Sequence, residues 1–138
     1  MLKENFKVAV PEFPDRKTSI TAYGAVKKVY DDDTGRINAR VINEAIKSMS
    51  SQGGGTVVIP QGVWMTSPIR LLSGVRLYLE RGAVLKFTKN KKDYPLVITN
   101  YEGQECIRTV SPISADGAEN IAISGYGVIA VSYTHLRA

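Results

Sequence analysis

Short runs of alternating apolar residues, each closed by glycine or proline, constrain the fold of this chain most strongly. Four of them follow one another closely, at 56–60, 68–72, 75–79 and 83–87. Alternation with a period of two is typical of β-strands with one buried face. The turns between the runs lack the Asn-Gly or Asp-Gly signal of a tight hairpin. The pattern therefore predicts strands joined by bends, with turns at Gly62, Ser73-Gly74 and Arg81-Gly82.

An internal repeat indicates how these strands are arranged. The segment that starts at Val75 resembles the segment that starts at Ile121, 46 residues further on. Each has an alternating strand, a glycine bend and a second short strand. The spacing is about two turns of a solenoid with a repeat of ~20–25 residues. The inward Val, Ile and Leu side chains are then expected to stack on those of neighbouring coils.

One amphipathic helix precedes the strands. Its apolar face is predicted to be core and consists of Ile37, Val41, Ile42, Ala45, Ile46 and Met49. Asn38 is the predicted N-cap, and the three glycines at 53–55 are the predicted stop. The helix is therefore expected over 38–50.

The segment before the helix gives weaker signals. Residues 1–19 contain Pro11 and Pro14 and are interpreted as an extended arm. A short β-like run is predicted over 19–24. Three adjacent acids at 31–33 do not fit a calcium-binding EF-hand loop, because Ile42 stands where the bidentate Glu belongs. We interpret them as a solvated turn.

Composition limits the partners. Eighteen Lys and Arg against thirteen Asp and Glu give a net charge of +5, which is compatible with an anionic partner. No nucleic-acid-binding motif is present, so no nucleic-acid partner is expected. No apolar run reaches the ~20 residues of a membrane span. No signal peptide is found, so the chain as written is expected to be cytoplasmic, while a missing leader would make it secreted or periplasmic.

Single residues add few candidates for a site. Cys106 is the only cysteine, which excludes an internal disulfide and a cysteine zinc cluster, and it is expected to be a small buried hydrophobe. Trp64 and Tyr78 could stack on a sugar ring, although Trp64 is more simply explained by packing at a corner of a coil. A basic cluster could hold an anionic chain or form a solvated loop; its members are Lys86, Lys89, Lys91 and Lys92.

Several stretches together resemble a known family. Residues 20–26, 53–62 and 79–85 are similar to the amino-terminal signature of pectin-degrading β-helix enzymes. The later stretch, 101–127, resembles glycoside hydrolase family 28, the polygalacturonases, more specifically. The resemblance implies an all-β fold, a right-handed parallel β-helix of which 20–129 form the first coils. The helix at about 38–50 is then expected to cap its amino-terminal end, where unpaired strands need cover.

The resemblance also implies an activity. Members of the family hydrolyse glycosidic bonds in galacturonan or rhamnogalacturonan with inversion, using an acid and a base ~6.5–9.5 Å apart. The implied partner of the full-length enzyme is therefore an acidic polysaccharide, and no metal or other cofactor is implied. The family's Asn-Thr-Asp, Asp-Asp, Gly-His-Gly and Arg-Ile-Lys motifs do not occur here. We therefore assign no catalytic, cofactor-binding or metal-binding residue, and we expect the isolated chain to be inactive.

Two other functions stay open at this point. A non-catalytic β-helix module would bind carbohydrate or serve as a structural element. A polysaccharide lyase on the same fold would use calcium and a basic residue, although the match over 101–127 favours the hydrolase. Residues 130–138 depart from the family pattern and are interpreted as a non-native tail. That tail contains His135, the only histidine, to which we assign no role.

Overall fold

The computed structural model describes residues 13–27, 29–89, 93, 96–101, 104–109, 112–115 and 117–131. For 96–101 and 104–109 it describes the backbone alone. One α-helix, α1, spans Asp32–Ser51 in this part of the chain and follows a 3₁₀ turn at Ile20–Tyr23. The strands are β1 Lys17–Ser19, β2 Gly55–Ile59, β3 Gly62–Thr66, β4 Ile69–Arg70, β5 Val75–Leu79, β6 Ala83–Phe87, β7 Leu96–Tyr101, β8 Gln104–Thr109, β9 Ile113–Ser114, β10 Ala122–Gly125 and β11 Val128–Ala130.

Three parallel sheets form the sides of a β-helix. The first sheet has the order β1-β2-β5-β10, the second β11-β6-β3 and the third β4-β9. Each coil contributes one strand to a sheet and then turns a corner into the next sheet. All pairs within these three sheets are parallel. The predicted parallel β-helix is therefore confirmed.

The internal repeat is real, but its interpretation as two coils is wrong. Leu77 of β5 pairs with Val57 on one side, 20 residues back, and with Ile123 on the other side, 46 residues ahead. The repeated segments are thus direct neighbours in one sheet. The longer coil contains the antiparallel hairpin β7–β8, whose strands pair with each other. A hairpin adds chain length without adding a coil, because the chain leaves the solenoid and returns to it within the same coil.

The core is a column of aliphatic side chains that point inward from the sheets. Val57, Leu77 and Leu85 are completely buried. Ile42 and Ile46 of α1 are completely buried as well and belong to the same cluster, so the helix covers one end of the column. Burying one such side chain contributes about 1.5–3 kcal/mol. The predicted apolar face of the helix is confirmed except at Ile37, which is 40% exposed.

The helix begins six residues earlier than predicted. Asp31 is its N-cap, and the Asp31 carboxylate accepts a hydrogen bond from the Thr34 N–H at 2.7 Å. This hydrogen bond lowers the pKa of Asp31. Asp32 and Asp33 lie in the first turn, where the helix dipole favours negative charge. The solvated turn predicted at 31–33 and the N-cap predicted at Asn38 are therefore both wrong, whereas the predicted end before Gly53 is confirmed.

Three further local predictions need correction. The run predicted as β-like over 19–24 is the 3₁₀ turn, which Ser19 caps at its start and Gly24 closes in a left-handed conformation at φ 94°. The end of the predicted arm is the strand β1, which pairs with β2. Gly62, predicted as a turn, starts β3. Within the described residues, no helix has the length and apolar character to cross a membrane.

Candidate functional site

The first sheet carries a stacked arginine on its outer face. Arg76 and Tyr78 alternate along β5 with three buried residues, so both point away from the core. The Arg76 guanidinium lies 5.7 Å from the ring centres of both Phe13 and Tyr78. Its Nε donates a hydrogen bond to the Thr56 hydroxyl at 3.1 Å. The Arg76 guanidinium is therefore in contact range of two rings, and its Nε is anchored to the neighbouring strand.

A second stacked arginine lies at the next corner of the coil. The Arg81 guanidinium is 4.7 Å from the ring centre of Tyr126, and this ring is 66% exposed. The bend that carries Tyr126 is fixed because the Tyr126 N–H donates to the Leu79 carbonyl at 2.9 Å. We call Phe13, Arg76, Tyr78, Arg81 and Tyr126 the arginine-tyrosine surface. Of these five residues, the sequence indicated Tyr78 alone as a candidate for contact with a sugar. A ring and a cation from distant segments leave no local sequence pattern when they meet.

Trp64 is not available to a sugar. It is 1% exposed in β3, and its indole N–H donates to the Pro60 carbonyl at 2.8 Å. The interpretation of Trp64 as a packing residue is therefore confirmed. Lys27 stands 6.0 Å from its ring centre.

The basic cluster predicted at 86–92 is partly described. Lys86 and Lys89 are exposed, whereas Lys91 and Lys92 lie outside the described residues. The next carboxylate, Asp93, is only 4% exposed. It accepts hydrogen bonds from the Arg36 Nε at 2.7 Å and from the Thr88 hydroxyl at 2.8 Å. Both carboxylate oxygens are engaged, so this group links the capping helix to the end of β6 and is poorly suited to proton transfer.

Arg36 itself joins two acids. Besides Asp93 it contacts the Asp33 carboxylate at 2.9 Å, and the hydrogen bond to Asp93 raises the pKa of the guanidinium further. In the part of the chain that the structure describes, no three His, Cys, Asp or Glu side chains gather as metal ligands. Cys106 lies in β8, whose side chains are not described, and His135 lies outside the described residues.

Known structures share this fold and part of this sequence. An exopolygalacturonase from Thermotoga maritima is 34% identical with a TM-score of 0.75, and the match covers 89% of this chain and 26% of that one. A family 28 exopolygalacturonase from Yersinia enterocolitica is 29% identical with a TM-score of 0.70, covering 84% of this chain and 21% of that one. Both likenesses extend over most of the present sequence.

Curated relatives match shorter stretches. An iota-carrageenase from Zobellia galactanivorans is 33% identical over 75 residues, which are 54% of this chain and 14% of the relative. A probable polygalacturonase from Vitis vinifera is 30% identical over 64 residues, which are 44% of this chain and 13% of the relative. No protein-family model matches the chain. The chain thus spans about a seventh of these curated relatives and about a quarter or less of the two structures. Over that part, the resemblance to glycoside hydrolase family 28, the polygalacturonases, is confirmed in sequence and in fold.

Proposed function

We propose that this chain is the amino-terminal part of a pectin-degrading glycoside hydrolase that cleaves galacturonate-containing polysaccharide. The observation that carries the proposal is the joint likeness in sequence and fold to two exopolygalacturonases, over 89% and 84% of the chain. Fold alone would be a weak argument, because the same scaffold hosts different activities. Sequence identity of 34% and 29% adds the specific support.

The proposed reaction is hydrolysis with inversion. A carboxylic acid protonates the leaving oxygen while a carboxylate on the opposite face of the sugar activates water. The described part of the chain contributes the capping helix and the first coils. Its most buried acid, Asp93, has both oxygens engaged by Arg36 and Thr88. We propose that the acid and base come from a part of the enzyme outside this chain, because the family's Asn-Thr-Asp and Asp-Asp motifs do not occur in it, and we expect the isolated 138-residue protein to be inactive.

The substrate is proposed to be acidic, in keeping with the net charge of +5. Iota-carrageenan is the second candidate substrate, because the iota-carrageenase relative is 33% identical over 75 residues. Galacturonan is favoured over it. The solved exopolygalacturonases are 34% and 29% identical to this chain, whereas the solved iota-carrageenase that was complexed to carrageenan fragments is 21% identical.

The test compares two proteins made from the source gene. One is the present chain, and the other is the product of the reading frame followed beyond the codon for Ile129. Both are incubated with polygalacturonate, rhamnogalacturonan and iota-carrageenan, and new reducing ends are measured together with the absorbance of unsaturated sugar products. The anomeric configuration of the first product is read by NMR.

The expected result is release of reducing ends from a galacturonate polymer by the longer product, with inverted configuration and no unsaturated sugars. Unsaturated products would show a lyase instead. Binding of the polymer without cleavage would favour a non-catalytic module. Hydrolysis by the present chain alone would contradict the placement of the acid and base.

A further inference from the structure

The two stacked arginines of the arginine-tyrosine surface carry charge that no acid of the described chain neutralises. Both ion pairs found among the described residues are made by Arg36. Glu80, the chain neighbour of Arg81, is exposed and makes no ion pair with it, and Asp15, close in sequence to Phe13, makes none with Arg76. Arg76 and Arg81 are thus held in place by rings rather than by carboxylates.

Stacking on an aromatic ring leaves the N–H donors of a guanidinium available for hydrogen bonds. The aromatic ring covers a face of the planar group, while the N–H donors point outward in its plane. The Nε of Arg76 is engaged by Thr56, and the terminal nitrogens of Arg76 have no hydrogen-bond partner among the described residues. A guanidinium oriented in this way is prepared for two parallel hydrogen bonds to a carboxylate.

The sheet arranges these groups along the solenoid. Lys17, Thr56 and Arg76 occupy neighbouring positions on three adjacent strands of the first sheet. Strands are about 4.8 Å apart, so the exposed Lys17 lies roughly two strand spacings from Arg76 at the backbone. Arg81 lies on the same coil as Arg76, at the corner after β5, and its guanidinium contacts the ring of Tyr126 on the next coil. The result is an open face with cations and aromatic rings in succession.

We infer that the arginine-tyrosine surface binds the carboxylates of an acidic polysaccharide, with Arg76 and Arg81 as the anion contacts and the exposed ring of Tyr126 against a sugar face. This binding surface takes no part in the acid–base chemistry of the proposed hydrolase. The inference rests on the proposed function only for the class of ligand, an acidic polysaccharide. Its role is to hold the polymer on the enzyme. A face built from rings and fixed guanidinium groups suits a linear chain of repeated carboxylates better than it suits a compact anion.

The first test measures binding of a galacturonate oligomer to the full 138-residue chain. The site variant is Arg76→Gln/Arg81→Gln, and the matched control is Arg40→Gln/Lys47→Gln on the exposed face of α1, which loses the same charge. We expect the site variant to bind about tenfold more weakly or worse, and the control to change less than about twofold. Arg81→Lys keeps the charge but loses the fork, so we also expect it to bind more weakly. The methyl-esterified oligomer should bind no better than the site variant binds the free acid.

A second measurement avoids variants altogether. The unmodified chain is treated with phenylglyoxal with and without the oligomer, and modification of each arginine is read by mass spectrometry. Protection of Arg76 and Arg81 but not of Arg40 supports the inference. Equal loss of binding in the site and control variants, equal protection of all arginines, or no binding by the unmodified chain would overturn it. Neither of these two experiments measures hydrolysis, so their outcome is independent of the test of the proposed function.

Discussion

The side-chain amide of Asn38 holds the N–H and C=O groups of Val26 at the same time. Its Oδ1 accepts from the Val26 N–H at 2.8 Å, and its Nδ2 donates to the Val26 carbonyl at 2.7 Å. The same Nδ2 donates to the Met65 carbonyl, also at 2.7 Å. Asn38 is completely buried. One amide in the middle of the capping helix thus fastens the preceding segment and the strand β3 to the cap.

Replacing Asn38 by Ala is expected to lower the free energy of unfolding by about 2–3 kcal/mol. The Met65 carbonyl loses a buried partner, which costs about 1–3 kcal/mol, and the two backbone groups of Val26 cost less because Val26 is 39% exposed. Urea denaturation followed by circular dichroism measures the change. The control is Glu44→Ala on the exposed face of the same helix, for which we expect a change within about 0.5 kcal/mol. Equal effects of the two substitutions would contradict the fastening role of Asn38.

Replacing Gly35 by Ala is expected to destabilise the protein although it lies in a helix. On an exposed helix surface this change stabilises by about 1 kcal/mol. Here a Cβ at Gly35 would overlap the Cγ2 of Thr88, and such overpacking costs about 1–3 kcal/mol. The double variant Gly35→Ala/Thr88→Ser removes that methyl group and keeps a hydroxyl for Asp93. With Thr88→Ser alone as the reference, this double variant should recover most of the stability that Gly35→Ala loses. If the effects of the two substitutions on the free energy of unfolding simply add, the two residues do not clash.

Replacing Asp31 by Ala is expected to lower stability in a pH-dependent way. The folded pKa of Asp31 lies below its ordinary value of 3.8, so its charged form stabilises the folded state at a pH above that value. This contribution is lost as the pH falls through the lowered pKa. Thermal unfolding of the original chain and the variant should therefore differ most at neutral pH and converge in acid. A difference that stays constant down to strong acid would contradict the charged N-cap.

The chain is expected to self-associate through the last coil that the structure describes. Ile123 and Ile129 continue the inward rows of Leu77 and Leu85, yet they are 44% and 36% exposed because β10 and β11 are edge strands. Uncovered apolar edges favour association. Light scattering should show less association for Ile123→Lys or Ile129→Lys. The control Val128→Lys adds the same charge on the outer face of β11 and should have a smaller effect; an equal effect would point to charge alone.

Local sequence signals determined those strands and helix faces whose burial in the folded chain agrees with their own apolar pattern. The alternation over Val75–Leu79 and Ala83–Phe87 predicted two strands with the bounds that the structure has. The apolar stripe predicted the buried face of the helix and the glycines predicted its end. The family resemblance, which depends on residue identity, predicted the parallel β-helix. No candidate acid or base was predicted, and the described residues do not test that expectation.

Tertiary structure alone decided the features that join distant segments. Asn38 was predicted as a helix boundary because an isolated polar residue near the start of a stripe is typical of an N-cap, yet its partners Val26 and Met65 reach it only in the folded chain. The spacing of 46 residues between the repeats predicted two coils, whereas β5 pairs directly with β10 and the hairpin β7–β8 accounts for the extra length. The rings that hold Arg76 and Arg81 also come from other segments. A sequence pattern shows which face of a helix or strand is apolar. The contact partners of a side chain depend on tertiary packing, because packing brings residues that are far apart in sequence within a few ångströms of each other.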